Sequence, residues 1–260
     1  MALLRLDHTP RSTQLCMPLY MILPNPKQVE EVPLHKRKCL YLLHGLSDDG
    51  GAWVRHSMIE SIARQYGLVV IMPSVGRSFY TDQRDGQHFY SYLTDELPAY
   101  LEALFGLNPP RENTLVAGNS MGGYGALKLA LNFPQRFGAA ASLSGVTSLE
   151  FLRLYPDDPR NAKFAYLFGD LDQLHGSQHD PMTWLQGAAQ SKVDLPKLYI
   201  ACGKQDDLFP LNQIFHAACT EMNIEHTYIV EDGKHDWFFW HKHIQSFLRF
   251  ALGEPPQGED

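Results

Sequence analysis

Apolar stretches long enough for a strand alternate with segments of helical period along most of this 260-residue chain. The apolar stretches predict strands at residues 14–23, 39–43, 68–72, 114–117, 139–143, 197–202 and 226–230. The helical periods predict helices at residues 52–65, 90–105, 121–133, 211–222 and 237–252. Continuous apolar strands separated by helices are typical of a parallel sheet that is covered on both faces. The pattern therefore predicts an α/β fold around a mostly parallel central sheet.

Three regions depart from this alternation. Pro24-Asn-Pro26 follows the first predicted strand and indicates that the sheet opens with antiparallel strands at one edge. Residues 147–192 combine prolines, clustered aspartates and aromatic residues, which favours an insertion over the carboxyl ends of the strands, where open α/β sheets bind ligands. Residues 253–260 resemble a disordered acidic tail. We interpret residues 1–252 as one domain in which residues 147–192 form a lid or pocket wall.

Composition narrows the class of protein. Apolar residues make up 44% of the chain and charged residues 20%, which is ordinary for a soluble globular protein. The formal charge of −7 argues against a nucleic-acid partner, because phosphate binding requires a basic surface. The longest apolar runs, such as residues 68–72, are far shorter than the roughly 20 residues that a membrane span needs. The sequence leaves open whether the chain forms a homodimer or a higher homo-oligomer.

The amino terminus and the cysteines predict a cytoplasmic location. Residues 1–8 contain neither a basic region nor an apolar stretch long enough for a secretory signal. The four cysteines lack the CxxC spacing of a metal or redox site, and most lie in apolar runs where a buried, reduced thiol is expected: Cys16, Cys39, Cys202 and Cys219.

The segment Gly118-Asn-Ser120-Met-Gly122 contains the clearest candidate for chemistry. It matches the G-x-S-x-G pattern, and it follows a predicted strand and precedes a predicted helix. That strand–turn–helix is what a nucleophile elbow requires, because the sharp turn exposes the serine hydroxyl. The lack of a G-x-G-x-x-G spacing, or of a lysine after the last glycine, argues against a phosphate-binding loop. We therefore predict Ser120 as a nucleophile.

A nucleophilic serine needs a histidine base, and in this fold the base follows the nucleophile and its acid along the chain. Five histidines follow Cys202, and four of them fall within predicted helices or strands. His235 alone lies in a loop just after a strand, in Glu231-Asp-Gly-Lys-His-Asp236. A base at that point can project toward the elbow, so we predict His235 as the general base.

Two adjacent aspartates compete for the role of orienting acid. Asp206 and Asp207 both follow the predicted strand at residues 197–202, and their side chains should diverge because they are neighbours. Asp236 is badly placed to reach the Nδ1 atom of His235, because it is the next residue. From position alone, Asp206 and Asp207 both remain candidates.

An oxyanion intermediate also needs two N–H donors. The amide of Met121, directly after the predicted nucleophile, is one candidate. The strand at residues 39–43 runs into His44-Gly45-Leu46, and the amide of Leu46 is the other. We expect His44 to shape this loop through a hydrogen bond rather than to act as a base.

Four segments of the sequence resemble the esterase D group of α/β-hydrolases, above all the bacterial tributyrin esterases, with S-formylglutathione hydrolases and feruloyl esterases as cousins. They are Tyr41-Leu-Leu-His-Gly-Leu46, Phe89-Tyr-Ser-Tyr-Leu-Thr-Asp-Glu-Leu-Pro98, Gly118-Asn-Ser-Met-Gly-Gly-Tyr-Gly125 and Gly233-Lys-His-Asp-Trp237. The likeness extends from about residue 16 to residue 252.

This resemblance implies the α/β-hydrolase fold, a triad of Ser120, Asp206 and His235, and an oxyanion hole formed by the amides of Leu46 and Met121. It also implies hydrolysis of short-chain acyl esters, without a cofactor, on a small-molecule substrate. A thioesterase acting on S-formylglutathione and an acyltransferase are alternatives on the same triad. A catalytically inactive binding module is disfavoured because every chemical position is filled.

Six further residues are candidates for the substrate pocket. Phe151, Leu152, Tyr155 and Trp184 are apolar residues of the insertion that could close the acyl side of a cleft, unless they pack into the core. Tyr80 is either at the pocket rim or in an ordinary turn. Trp237 could edge the pocket, although its helical spacing favours the core.

A metal site is not expected. His175 and His179 are four residues apart, but Gly176 and Ser177 between them disfavour the helix on which a zinc pair usually lies. We interpret this segment as a polar loop.

Overall fold

The computed structural model describes residues 1–84, 86–150, 152, 161–191 and 193–255. Within them an eight-stranded sheet has the order β1-β2-β4-β3-β5-β6-β7-β8. The strands are β1 Ala2–His8, β2 Met17–Leu23, β3 Cys39–Leu43, β4 Val69–Pro73, β5 Thr114–Asn119, β6 Ala139–Leu143, β7 Lys197–Gly203 and β8 His226–Glu231. β1 pairs antiparallel with β2, and β2 with β4, whereas the remaining neighbours pair parallel. The predicted antiparallel edge and parallel centre are both present.

Ten α-helical segments are seen in the described residues. They are α1 Pro26–Glu31, α2 Ala52–His56, α3 Ile59–Tyr66, α4 Phe89–Ser91, α5 Leu97–Phe105, α6 Met121–Asn132, α7 Asn161–Phe168, α8 Pro181–Gln190, α9 Phe209–Glu221 and α10 Trp237–Leu252. A π-helical turn, Tyr92–Glu96, joins α4 to α5.

Both faces of the sheet are apolar because helices cover its central strands on each face. Leu115 and Ala117 of β5 belong to a core cluster that includes side chains of α3 and α10. Val116, between them, belongs to the opposite cluster, which includes side chains of α6 and α9. Side chains alternate across a strand, so a strand covered on both faces is apolar without interruption.

Two predicted helices are interrupted in the structure. The helix expected at residues 52–65 divides into α2 and α3 at Ser57 and Met58. The helix expected at residues 90–105 contains the π turn just before Pro98, whose ring nitrogen has no hydrogen to donate to the Thr94 carbonyl. The guanidinium of Arg136 donates to that carbonyl instead. A contact 42 residues away along the chain thus stabilises the irregular turn.

Other elements were not predicted. β1 is an edge strand of intermediate and exposed residues, so its apolar pattern is weak and its pairing with β2 defines it. α7 and α8 lie within residues 147–192, where no helix was expected. Asp180 caps α8 by accepting a hydrogen bond from the Met182 amide, and Pro181 stands in the first turn, where proline is tolerated.

Candidate active site

Ser120 lies in a strained turn between β5 and α6. Its φ of 55° and ψ of −119° are unusual for a residue with a side chain. A Cβ atom on Gly118 would overlap the backbone of Gly122, and one on Gly122 would overlap the carbonyl of Leu43. The strand and the helix can approach this closely only because both positions are glycine. Ser120 is half-buried, and no hydrogen bond joins its hydroxyl to His235 or to any other described residue.

His235 and Asp206 are in direct contact at the carboxyl edge of the sheet. The Nδ1 atom of His235 lies 3.0 Å and 2.9 Å from the two carboxylate oxygens of Asp206. The loops after β7 and β8 are joined by backbone hydrogen bonds, such as that from the Gln205 amide to the Gly233 carbonyl at 3.0 Å. This pairing of loops brings together two side chains that are 29 residues apart.

The environment of Asp206 suits a permanent anion. The Asp206 side chain is fully buried, and it also accepts a hydrogen bond of 2.8 Å from the Leu208 amide. Burial by itself raises the pKa of this carboxyl, but the hydrogen bond and charge of His235, with the hydrogen bond from the Leu208 amide, lower the pKa below its ordinary value. The His235 side chain is 34% exposed, so it can reach a substrate while its partner stays protected.

The rival carboxylates are engaged elsewhere or exposed. Asp207 is exposed and makes no hydrogen bond or ion pair with the described residues. Asp236 caps α10, because its carboxylate accepts a hydrogen bond of 3.0 Å from the Phe239 amide. The geometry therefore favours Asp206 over both neighbours.

The remaining late histidines have structural partners. His216 and His226 contact each other at 2.7 Å. His243 is buried between Tyr199 and Glu231, at 3.0 Å from each, on a helix of the sheet's other face. His241 lies 3.4 Å from the Met58 amide. None of these four touches Asp206 in the described structure, unlike His235.

The loop after β3 presents an unpaired amide next to the nucleophile. A Cβ atom on Gly45 would lie 3.7 Å from the Cβ of Ser120. Within the described residues, the N–H groups of Leu46 and Met121 have no hydrogen-bond partner. Met121 is the first residue of α6, so its N–H has no acceptor within the helix. Unpaired N–H groups of this kind can stabilise an oxyanion.

His44 shapes this loop and is unavailable as a base. Its Nε2 accepts from the Val75 amide at 3.1 Å, which leaves the proton on Nδ1 to be donated to the Gly45 carbonyl at 2.8 Å. Burial lowers the pKa of His44 and favours the neutral ring that this arrangement requires.

The predicted pocket residues are mostly part of the core. Tyr80, Leu152 and Trp184 are at most 4% exposed, so they cannot form a rim. Trp237 is half-buried against Trp53 and His56, with ring centroids 5.0 Å from each. Phe151 and Tyr155 lie outside the described residues. Leu152 and Trp184 of the insertion therefore pack inward, because a large apolar side chain gains more by burial in a core than at an open cleft.

A cleft of about 550 Å³ opens beside Leu46 instead. Its apolar wall comes from the loop after β4, from α4 and from α7 of the insertion, and includes Val75, Phe89, Phe164 and Leu167. The insertion contributes α7 to the wall of this cleft, through residues that the sequence analysis did not select. A larger groove of about 750 Å³ is lined by the starts of β6, β7 and β8, at the edge opposite the candidate site.

The two histidines considered for a metal do not converge. The Nδ1 atom of His179 lies 3.1 Å from the Thr81 hydroxyl, whereas His175 is exposed and lies 3.6 Å from Asp180. Burial, and then the nearby charge of Lys128, lower the pKa of His179 to about 4. In the described part of the chain, no three potential ligands are grouped so as to hold a metal ion.

No helix among the described residues is both long and apolar enough to cross a membrane.

Comparisons with known proteins identify the family of the chain and its structural relatives. Residues 12–250 match the Esterase family, described as "Putative esterase". An acetyl esterase of Caldicellulosiruptor saccharolyticus is 32% identical over 227 residues, which cover 85% of each chain. The fluorophosphonate-binding serine hydrolase FphF of Staphylococcus aureus superposes with a TM-score of 0.89 at 30% identity, over 97% of this chain and 99% of FphF. The S-formylglutathione hydrolase FrmB of the same organism gives 0.86 at 31%, over 96% and 98%.

The fold and the site together define an α/β-hydrolase. The chain belongs to the Esterase family, and it is a serine hydrolase that acts on carboxylic ester bonds.

Proposed function

We propose that this carboxylesterase hydrolyses short-chain acyl esters through an acyl-enzyme on Ser120. The observation that carries the proposal is the contact of His235 with a buried, ionised Asp206 at the sheet edge where Ser120 occupies a strained turn. A carboxylate-oriented imidazole and a serine in an elbow are the two components that acyl transfer to serine requires. The fold supplies both at the carboxyl ends of parallel strands, the serine after β5 and the imidazole–carboxylate pair after β7 and β8.

In the proposed reaction, Ser120 Oγ bonds to the ester carbonyl carbon while its proton passes to Nε2 of His235. Asp206 accepts a hydrogen bond from Nδ1 and stabilises the imidazolium. The amides of Leu46 and Met121 stabilise the oxyanion. The bond to the alcohol oxygen then breaks, and the alcohol leaves with the proton from His235. Water repeats the sequence and releases the acid, so both steps balance without a metal or cofactor.

The preference for short acyl groups is supported by two observations. The similarity to an acetyl esterase covers most of the chain. α7 and the loop after β4 enclose one side of the cleft beside Leu46, which limits how far an acyl chain can extend before it meets Phe164 or Leu167. A chain that no longer fits must stay in water, where its methylene groups add no binding energy.

Thioester hydrolysis is the second candidate. It is favoured by the 31% identity to FrmB, an S-formylglutathione hydrolase that covers nearly the whole chain. The same triad serves both reactions, so the preference for an ester or a thioester depends on how the enzyme accommodates the leaving group. Comparing kcat/KM for S-formylglutathione and p-nitrophenyl acetate decides between the two substrates.

The mechanism is tested by Ser120→Ala together with a fluorophosphonate probe. We expect a folded variant whose kcat falls by roughly 10³-fold or more, because triad members act as a unit. The probe should label wild-type protein at Ser120 and leave the variant unlabelled. A variant that keeps a tenth of the wild-type kcat shows that Ser120 is not the nucleophile. Restoration by a divalent ion of activity lost in EDTA would also contradict the mechanism.

We also propose a cytoplasmic location. Three of the four cysteines are buried free thiols, in keeping with a reducing compartment. Fractionation of the source cells with an antibody against the chain tests this.

A further inference from the structure

Tyr80 is buried, strained and unexplained by the proposed mechanism. It lies in the loop after β4 and is 0% exposed. Both Phe79 and Tyr80 have positive φ angles, 51° and 52°, a region that costs a bulky residue roughly 1–2 kcal/mol. Two such residues in succession persist only where surrounding contacts compensate for the strain. These contacts join Tyr80 to His44-Gly45-Leu46, the loop after β3 that carries one proposed oxyanion donor and is called the oxyanion loop below.

The hydroxyl of Tyr80 donates a hydrogen bond of 2.9 Å to the carbonyl of His44. That carbonyl belongs to the peptide group directly before the Gly45–Leu46 peptide, whose N–H is the proposed oxyanion donor. The Gly45 carbonyl in turn accepts from His44 Nδ1 at 2.8 Å and from the Asp48 amide at 3.2 Å. Because a trans peptide is planar, fixing a carbonyl on one side fixes the N–H on the other. Tyr80 and His44 thus determine the directions of two successive peptide groups.

Lys128 holds Tyr80 from the other side. This lysine of α6 is buried, and its ammonium group donates to the Tyr80 carbonyl at 3.2 Å and to the Thr81 hydroxyl at 3.0 Å. It also lies 4.3 Å from the centre of the Tyr90 ring, a favourable position for a cation. The Tyr80 ring packs directly on α6, where a Cβ on Gly125 would lie 2.5 Å from its Cδ2 atom. The nucleophile helix therefore supports the oxyanion loop through Tyr80.

We propose that Tyr80, anchored by Lys128, is a positioning residue: it fixes the His44–Gly45 peptide and thereby helps His44 to hold the adjoining Leu46 amide in the direction needed to stabilise the oxyanion. This inference rests on the proposed function and assigns a role outside the triad. Tyr80 touches no reacting atom. Its effect should therefore fall on the transition state, where the oxyanion exists, and hardly on binding of the neutral ester.

The test is Tyr80→Phe, which keeps the ring and removes only the hydroxyl. Complete loss of an oxyanion donor costs roughly 10²–10³-fold in kcat, so a misdirected donor should cost roughly 10- to 100-fold. We expect this loss with KM changed less than twofold. Affinity for an aryl trifluoromethyl ketone, which forms a tetrahedral adduct with Ser120, should fall by the same factor as kcat/KM.

Tyr199→Phe is the matched control, because it removes another buried tyrosine hydroxyl, one that contacts His243 away from the site. It should lose comparable stability and keep wild-type kcat. If both variants lose activity equally, or if Tyr80→Phe changes KM rather than kcat, Tyr80 has only a structural role. In that case wild-type turnover and fluorophosphonate labelling of Ser120 persist, whereas failure of the proposed function would remove both.

The link to Lys128 is tested by a double-mutant cycle with Lys128→Met, which keeps an unbranched side chain one atom shorter and removes the amino group. If the two residues act through one network, the second substitution should add little to the loss in kcat from the first. Fully additive losses overturn the role of Lys128. Should Lys128→Met not fold, Lys128→Arg serves in the same cycle, because it preserves the charge but not the fit.

Discussion

The two halves of the candidate site are built in different ways. The acid–base half, formed by His235 and Asp206, depends on one charged contact between two surface loops, and its histidine is 34% exposed. The oxyanion half, formed by the amides of Leu46 and Met121, is held by neutral hydrogen bonds from His44 and Tyr80 and by close packing on the glycines of α6. In the proposed mechanism, the first half transfers protons, whereas the second holds two N–H groups in fixed directions.

This difference follows from what each half does. A base must meet the substrate and exchange protons, so it needs exposure and one fixed partner. Oxyanion donors are most effective when they are already oriented, so that no reorganisation is needed during the reaction. Buried packing achieves that rigidity, and it also makes the oxyanion half sensitive to substitutions that are remote in sequence. The following predictions test the contrast, from the largest expected effect to the smallest.

Asp206→Asn should damage the acid–base half most. The amide cannot hold the imidazole in the required tautomer or stabilise its cation, so kcat should fall by roughly 10³- to 10⁴-fold. Asp207→Asn, the control in the next position, should keep kcat within twofold because Asp207 is exposed. Steady-state kinetics on p-nitrophenyl acetate measures both. The reverse ranking would show that the other carboxylate orients His235.

The free energy of unfolding should depend on pH through Lys128, the residue that anchors Tyr80 beside the oxyanion half. Burial lowers the pKa of Lys128 to about 7 from an ordinary 10.5, although Asp82 opposes the shift. Between these values the unfolded chain binds more protons than the folded one, so the free energy of unfolding should rise with pH, by about 3 kcal/mol from pH 7 to pH 10. Below pH 7 both states are protonated, and this contribution no longer changes.

Urea unfolding at pH 7 and pH 10 measures this effect, with Lys128→Met as the reference that lacks the titrating group. The other ionisable or aromatic groups around Lys128 remain in that variant and cancel in the comparison: Asp82, Tyr90, Tyr124 and His179. An equal rise in both proteins would mean that Lys128 does not carry the dependence.

Gly125→Ala should impair the oxyanion half without touching the triad. The added methyl group would lie 2.5 Å from the Tyr80 ring, so the ring must move. We expect kcat to fall about tenfold. Gly187→Ala on α8 is the control, since no atom lies within 4 Å of its added methyl group. That control should keep its activity and gain roughly 0.5–1 kcal/mol in stability. Equal activity of the two variants would contradict the support of the loop by Tyr80.

The smallest effect concerns the acyl chain. Each methylene buried in the cleft adds about 0.8 kcal/mol, so kcat/KM should rise over the first few carbons of p-nitrophenyl esters and then decline. Phe164→Ala should move the maximum to longer chains if α7 forms the limiting wall. A profile that still rises at eight carbons would exclude a closed acyl pocket.

Local sequence determined most of the sheet and the positions of the predicted nucleophile and base. β3 and β6 begin and end where their apolar runs do, and α10 spans the residues predicted for it. Ser120 and His235 follow strands, and parallel strands place their carboxyl ends at one edge, so chain position alone was enough to select them. The physical reason is that periodicity and glycine spacing act over a few residues.

The tertiary structure alone decided the features that depend on the direction of a side chain and on contacts with residues distant along the chain. Asp206 and Asp207 are equivalent in sequence, and only the joined loops after β7 and β8 turn one of them toward His235. Tyr80 could have been at a rim, but its packing on Gly125, 45 positions later, buries it. Trp184 faces the core for the same kind of reason, as its ring lies against Tyr124 of α6. Close packing between distant segments selects these side-chain orientations, and no local pattern in the sequence encodes that packing.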